Sequence, residues 1–126
     1  MSARTKARTM TPLFVVSDLQ RSIAFYARLG FGEPGIWGEP PCFAMINRDG
    51  LELMLSLTEG DAAPRPNGHG VWDAYIAVTD LDAEIAALED AGVPIDRGPT
   101  MTAYQMKEIE VVDPDGFRIC LAQNVE

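Results

Sequence analysis

The chain has 126 residues, of which 47% are hydrophobic and 23% are charged, and these fractions are ordinary for a globular domain. They exclude a fibrous or disordered protein, and no apolar run approaches the about 20 residues that a membrane helix needs. The net charge is −9; setting aside Arg4, Lys6 and Arg8 leaves 7 basic and 19 acidic residues, a charge of −12. Because such a surface repels phosphate backbones, a nucleic-acid partner is not expected.

The first ten residues, MSARTKARTM, predict a flexible N-terminal arm. They are basic but are followed by no apolar stretch of the kind that makes a secretory signal. The two cysteines, Cys42 and Cys120, are too few and too far apart for a disulfide framework. A cytoplasmic protein is therefore expected, without a membrane partner and with residues 11–126 forming one domain.

A strand followed by a helix is predicted from Phe14 to Phe31, FVVSDLQRSIAFYARLGF. Asp18 is a typical N-cap residue, apolar residues then recur at helical spacing, and Gly30 is a typical glycine after a helix end. The same pattern returns 62 residues later, from Ile76 to Val93, where Asp80 and Gly92 take the corresponding places. The sequence therefore contains an internal repeat.

Each half also predicts a hairpin and a further extended segment. The pairs Asp49-Gly50 and Asp115-Gly116 stand between alternating apolar runs, as hairpin turns do. With extended segments at 35–39 and 94–101, each half reads as βαβββ, so the halves are 11–59 and 71–126, joined by a Pro- and Gly-rich linker at 60–70. The predicted fold is α+β, with a curved eight-stranded mixed sheet around a cleft and the helices outside.

Three ordered segments, VSDLQRSIAFYARLGF, VTDLDAEIAALEDAGV and DPDGFRICL, resemble the glyoxalase, bleomycin-resistance and extradiol dioxygenase superfamily, also called the vicinal oxygen chelate fold. The resemblance covers nearly the whole chain after residue 10. It implies the fold but not the activity, because this family contains both metalloenzymes and metal-free proteins that bind drugs.

The enzymes of this family hold a metal with one residue on the first and one on the last strand of each half, usually His or Glu. The resemblance places Thr11, Met54, Asp73 and Cys120 at these positions. A hydroxyl and a thioether are weak ligands, and one carboxylate with one thiol makes neither a hard nor a soft ligand set. No metal or other cofactor is therefore expected.

An alternative is a metal-dependent lyase or dioxygenase with an atypical ligand set. Glu52 lies two residues before Met54 on the same strand face, and His69 lies four residues before Asp73. A register shift would be needed to bring Glu52 into place, and a histidine between glycines is more typical of an exposed loop. No nucleophile and base pair is evident, so no catalytic residues are assigned.

The resemblance implies a cleft lined by the residues at the metal positions and their neighbours on the same face. Aromatic and thioether side chains adapt to flat ligands, and carboxylates favour a cation. The leading hypothesis is a metal-free homodimer of the bleomycin-resistance type that sequesters a cationic or aromatic small molecule, and it is not expected to be an enzyme. The residues expected to bind this ligand are Trp37, Phe43, Glu52, Met54, Trp72, Asp73, Tyr104, Met106, Glu108 and Cys120.

Overall fold

A computed structural model describes residues 3–59 and 63–126. The described residues form eight strands and two helices in the order predicted. In the first half these are β1 (Leu13–Val16), α1 (Leu19–Arg28), β2 (Gly35–Trp37), β3 (Phe43–Arg48) and β4 (Leu51–Leu57). In the second half they are β5 (Ala74–Ala77), α2 (Leu81–Asp90), β6 (Arg97–Met101), β7 (Met106–Val112) and β8 (Arg118–Asn124). Neither helix is long and apolar enough to cross a membrane.

The predicted helix caps are confirmed. The carboxylate of Asp18 accepts a hydrogen bond from Arg21 N at 3.0 Å, and that of Asp80 accepts one from Ala83 N at 3.1 Å. These bonds satisfy backbone donors that the first turn of a helix leaves free. Gly30 follows the end of α1 with φ +91°, a conformation that costs a residue with a side chain more than it costs glycine.

The eight strands divide into two sheets of four, with orders β1-β4-β3-β2 and β5-β8-β7-β6. The first strand of each half runs parallel to the last, and the equivalent pairs Leu13 with Met54 and Tyr75 with Cys120 lie directly opposite each other. The mixed eight-stranded arrangement is thus present as two separate sheets in one chain, because no strand of one half pairs with a strand of the other in the described residues.

One hydrophobic core joins the halves. Side chains of the two sheets that point toward the helices are buried in a common cluster, and the rings of Phe14 and Phe117 stack across the halves with centroids 4.2 Å apart. Each helix packs on the sheet of its own half. The linker assigned to 60–70 includes residues 60–62, which lie outside the described residues, as do residues 1 and 2 of the arm.

Candidate ligand-binding faces of the two sheets

Successive side chains of a strand point to opposite faces, so residues that alternate with the core residues lie on what we call the outer face of each sheet. The first outer face carries Trp37, Phe43, Met45, Glu52 and Met54. The second outer face carries Tyr75, Arg97, Glu108, Glu110, Arg118 and Cys120. The sequence-predicted residues are therefore divided between two sheets of the chain.

The first outer face is apolar and partly open. Met45 lies opposite Met54 across the β3–β4 pair, and the Trp37 ring contacts the Phe43 ring at a centroid distance of 5.7 Å. Trp37 is nevertheless 54% exposed. Glu52 is half-buried and lies opposite Asn47 at the end of the same face. This surface has the flat apolar character that suits an aromatic ligand or another protein surface.

Glu108 is the centre of the second outer face. It is 7% exposed, and its Oε2 accepts hydrogen bonds from the hydroxyls of Tyr75 and Tyr104, both at 2.7 Å. No Lys, Arg or His of the described residues lies within ion-pair distance of this carboxylate. Burial and the bond to Glu108 raise the pKa of Tyr75, and the bond to Glu108, followed by burial, raises the pKa of Tyr104. Both tyrosines therefore remain neutral donors.

The neighbouring charges of this face compensate one another. Arg118 Nη1 lies 2.7 Å from Asp96 Oδ2 and 3.1 Å from Glu110 Oε1, and Arg97 Nη1 lies 3.4 Å from the same Glu110 oxygen. The hydrogen bond to Asp96 is the largest cause that raises the pKa of Arg118. Two cations and two carboxylates thus form a balanced network, whereas the charge of Glu108 beside it has no counter-charge.

Cys120 lies on β8, opposite Tyr75 of β5 on one side and Glu110 of β7 on the other. Burial, and then the negative charges of Glu108 and Glu110, raise the pKa of its thiol to about 12. A thiol in this state is protonated and is a poor nucleophile at neutral pH. Of the other predicted residues, Met106 lies on β7 two residues before Glu108, and the exposed Trp72 ring lies 5.2 Å from that of Tyr75.

Asp73 holds the linker to the second sheet. Its Oδ1 accepts a hydrogen bond from Asn67 N at 2.6 Å, and its Oδ2 accepts one from Arg118 N at 2.8 Å. Thr11 precedes β1 as Asp73 precedes β5, so neither residue lies within a strand. Both oxygens of Asp73 are thus committed to backbone donors.

The four positions at which related enzymes hold a metal do not fit one here. Thr11 and Met54 offer only a hydroxyl and a thioether, which are weak ligands, and both oxygens of Asp73 accept hydrogen bonds from backbone N–H groups. No group of three or more His, Cys, Asp and Glu side chains placed to hold a metal ion occurs within residues 3–59 and 63–126. His69, part of the alternative ligand set, is an exposed loop residue with φ +56°.

A cavity of about 370 Å³ lies between the halves, at the edges of β1 and β5. One of the ten predicted ligand-binding residues, Glu52, lines this cavity. Tyr75, which was not predicted, lines it as well. Most of the remaining lining comes from the arm and from core residues, among them Met10, Phe14, Tyr26, Phe31, Leu53 and Ile76. The predicted residues are therefore mostly on the open outer faces and not in this cavity.

Sequence reasoning missed Tyr75, Arg97 and Arg118, which surround Glu108 and Glu110 in the structure. Tyr75 could have been found from the strand period, because it lies two residues after Asp73 and so shares its face. Arg97 depends on the pairing of β6 with β7, which shifts register between Arg97 and Thr100. No local pattern in the sequence specifies that shift.

The chain is a paired-repeat α+β protein. Its two βαβββ halves each pair their first and last strands in parallel, and they pack together through one core. The chain belongs to the Glyoxalase/Bleomycin resistance protein/Dioxygenase superfamily, which it matches over residues 8–121. The family resemblance seen in the sequence is confirmed.

Several solved structures share the fold. A bleomycin-binding protein, solved in complex with bleomycin, is 23% identical with a TM-score of 0.72, and the match covers 94% of this chain and 99% of that one. TnmS3, an antibiotic-binding protein from a Streptomyces species, is 24% identical with a TM-score of 0.72 over 97% of this chain and 99% of that one. A superfamily member from Sphaerobacter thermophilus is 23% identical with a TM-score of 0.72 over 94% and 98%.

Proposed function

We propose that this protein is a metal-free, homodimeric small-molecule-binding protein that sequesters an organic cation without converting it. The observation that carries the proposal is Glu108, a buried carboxylate with no counter-charge in the described residues, held by two tyrosine hydroxyls at 2.7 Å. An uncompensated buried charge is costly in the empty protein, and a cationic ligand removes that cost.

The exposed aromatic residues support a ligand and a second copy of the chain. Trp37 is 54% exposed on the first sheet, and Tyr104 is 59% exposed beside Glu108 on the second. In a single chain these two faces are on different sheets that share their opposite, buried faces. Glu52 and Tyr75 of the two faces meet at the cavity between the halves, whereas a ligand that contacts both Trp37 and Tyr104 draws on the first outer face of one copy and the second outer face of another.

The chemistry of the described residues supports binding without turnover. The thiol of Cys120 is protonated, Asp73 is engaged by backbone donors, and His69 is exposed in a loop. Glu108 receives hydrogen bonds and has no acid or base partner that titrates near neutral pH. Solved relatives include proteins that bind bleomycin and another antibiotic, which makes a bulky, charged ligand a reasonable first choice of probe.

The proposal is tested by light scattering and by thermal unfolding with a panel of amphiphilic organic cations, including bleomycin. We expect a dimer, saturable stabilisation by at least one cation in the presence of EDTA, and recovery of the ligand unchanged. A neutral compound of the same shape as that cation should stabilise much less, because it lacks the charge. A monomer, or a panel in which neutral forms stabilise equally, would contradict the proposal.

A further inference from the structure

We infer that the subsite around Glu108 takes an ammonium group with at most one N–H, that is, a tertiary or quaternary ammonium. This inference rests on the proposed function, which it makes more specific. The evidence is the free oxygen of the carboxylate and the aromatic surface around it.

One oxygen of the carboxylate is available to a ligand. Oε2 of Glu108 already accepts from the hydroxyls of both Tyr75 and Tyr104. Oε1 accepts no hydrogen bond from another part of the described chain, and it is the strong acceptor left for a ligand. The thiol of Cys120 beneath the face is protonated and is a weak acceptor.

A primary ammonium does not match this arrangement. It is strongly hydrated through its three N–H donors, and aromatic rings replace that hydration poorly, so it loses more on leaving water than an alkylated ammonium does. A tertiary ammonium places its single N–H on Oε1, and a quaternary ammonium needs no acceptor. Both are also more weakly hydrated than a primary ammonium and lose less on leaving water.

The surrounding side chains provide the complementary surface. The tyrosine hydroxyls converge on one oxygen, so both phenol rings stand beside the carboxylate, and the Trp72 ring continues this surface at 5.2 Å from Tyr75. The faces of these rings attract alkylated cations, as aromatic cages for methylated ammonium groups do. The charge balance of the adjacent Arg97, Arg118, Asp96 and Glu110 network leaves Glu108 as the group that the cation neutralises.

Three small probes that share a hydroxyethyl chain test this inference directly. Choline, ethanolamine and 3,3-dimethylbutan-1-ol present a quaternary ammonium, a primary ammonium and a neutral head group of the same shape as choline. Because these probes have few atoms, dissociation constants in the millimolar range are expected, and they are measured by titration calorimetry or NMR on the full chain. We expect choline to bind at least about tenfold more tightly than either of the others.

Variants separate the role of the charge from that of the rings. Glu108→Gln should reduce the affinity for choline to that of 3,3-dimethylbutan-1-ol, whereas Glu89→Gln, which removes an equal charge from the exposed face of α2, should leave it unchanged. Tyr104 is exposed, so Tyr104→Phe and Tyr104→Leu should both fold. Tyr104→Phe keeps the ring and most of the affinity, and Tyr104→Leu should lose about threefold to tenfold.

Ethanolamine binding as tightly as choline would overturn the inference, as would undetectable binding of choline or a Glu108→Gln variant with unchanged choline affinity. These failures are distinct from failure of the proposed function. If a large organic cation stabilises the dimer and its affinity is insensitive to Glu108→Gln, the proposed sequestration is supported and the ammonium subsite is contradicted. If choline binds as expected and the chain is a monomer, the ammonium subsite is supported and the binding site shared between two copies is contradicted.

Discussion

The hydroxyl of Tyr26 on α1 donates a hydrogen bond to Asp113 Oδ2, at 2.7 Å, in the turn between β7 and β8, so one buried polar contact joins the two halves of the repeat. The other oxygen of Asp113 accepts from the backbone N–H groups of Asp115 and Phe117, each at 2.8 Å. Burial and the negative charge of Asp113 raise the pKa of Tyr26. The tyrosine hydroxyl therefore stays protonated and remains a donor at and above neutral pH.

The first prediction concerns this contact. Tyr26→Phe should lower the free energy of unfolding by about 1–3 kcal/mol, because it leaves a buried carboxylate oxygen without its donor. Chemical denaturation at neutral pH measures the change. Tyr104→Phe is the matched control and should change stability less, because Glu108 Oε2 keeps its hydrogen bond from Tyr75 when the Tyr104 hydroxyl is removed. A Tyr26→Phe protein as stable as the wild type would show that this bond does not hold the halves together.

The second prediction is a pH dependence. Burial is the largest cause that raises the pKa of Asp113, so the folded protein binds this proton more readily than the unfolded chain. The pKa of Asp113 in the unfolded chain is that of an ordinary aspartate, about 3.9, and its pKa in the folded protein is higher. The contribution of Asp113 to stability therefore decreases as pH rises from the first pKa through the second, and is constant above the second. The free energy of unfolding of the wild type minus that of Asp113→Asn should therefore be larger at about pH 4 than at pH 7.

Denaturant titrations of both proteins at the two pH values check this sign. Because Asp113→Asn preserves the shape of the side chain and cannot titrate, the difference between the two proteins isolates the carboxyl group from the other acidic residues. A difference that is independent of pH, or that favours the wild type at the higher pH, would contradict the assignment.

The third prediction concerns Arg48 at the end of β3. Its guanidinium donates to Leu29 O at 3.0 Å and forms an ion pair with Glu84 on α2, and the hydrogen bond to Glu84 is the largest cause that raises the pKa of Arg48. Arg48→Met should lower the free energy of unfolding by about 1–3 kcal/mol, since it leaves the partly buried Glu84 unpaired. Glu84→Gln on this background should restore part of the loss.

A double-mutant cycle gives the coupling between Arg48 and Glu84, which we expect to be about 1 kcal/mol. Arg21→Met is a suitable control, because Arg21 also links the halves, through Asp115 at 3.4 Å, but is half exposed. Exposed pairs contribute little, so this variant should lose less than about 1 kcal/mol. Equal losses for the two arginines would show that burial of the Arg48 pair is unimportant.

The fourth prediction concerns the two cysteines. Since the pKa of Cys120 is raised to about 12, less than about one thiol in a thousand is ionised at pH 8. Iodoacetamide should therefore modify the exposed Cys42 in the native protein and leave Cys120 unmodified until the chain unfolds. Peptide mass spectrometry with and without denaturant provides the comparison. Rapid native labelling of Cys120 would indicate a reactive thiol and reopen a catalytic interpretation.

The fold was predictable because its signals are local and repeated. Asp18 and Asp80 cap their helices, Gly30 and Gly92 take positive φ after the helix ends, and the Asp-Gly pairs fall in the two hairpin turns. Strand period then fixes which residues face the core. The division of the strands into two separate sheets was not predictable from these signals, because it depends on which sheet edges meet and not on any segment by itself.

The candidate site was predictable in part. Glu108 and Tyr104 were identified from their positions around the start of β7, and the structure joins them by a hydrogen bond. The compensation of Glu110 by Arg97 and Arg118, which leaves Glu108 as the uncompensated charge, depends on pairing between strands far apart in sequence. Likewise, a carboxylate at position 73 looks available to a ligand in the sequence, and the structure shows it bound to backbone donors.

The most direct test of the account is thermal unfolding of the purified protein with two panels side by side, one of divalent metals and one of organic cations, followed by mass spectrometry of the recovered ligand. The account predicts that an organic cation raises the unfolding temperature saturably, survives unchanged, and loses its effect in Glu108→Gln, whereas no metal does so. A large, saturable stabilisation by one metal, together with conversion of the organic compound, would contradict it.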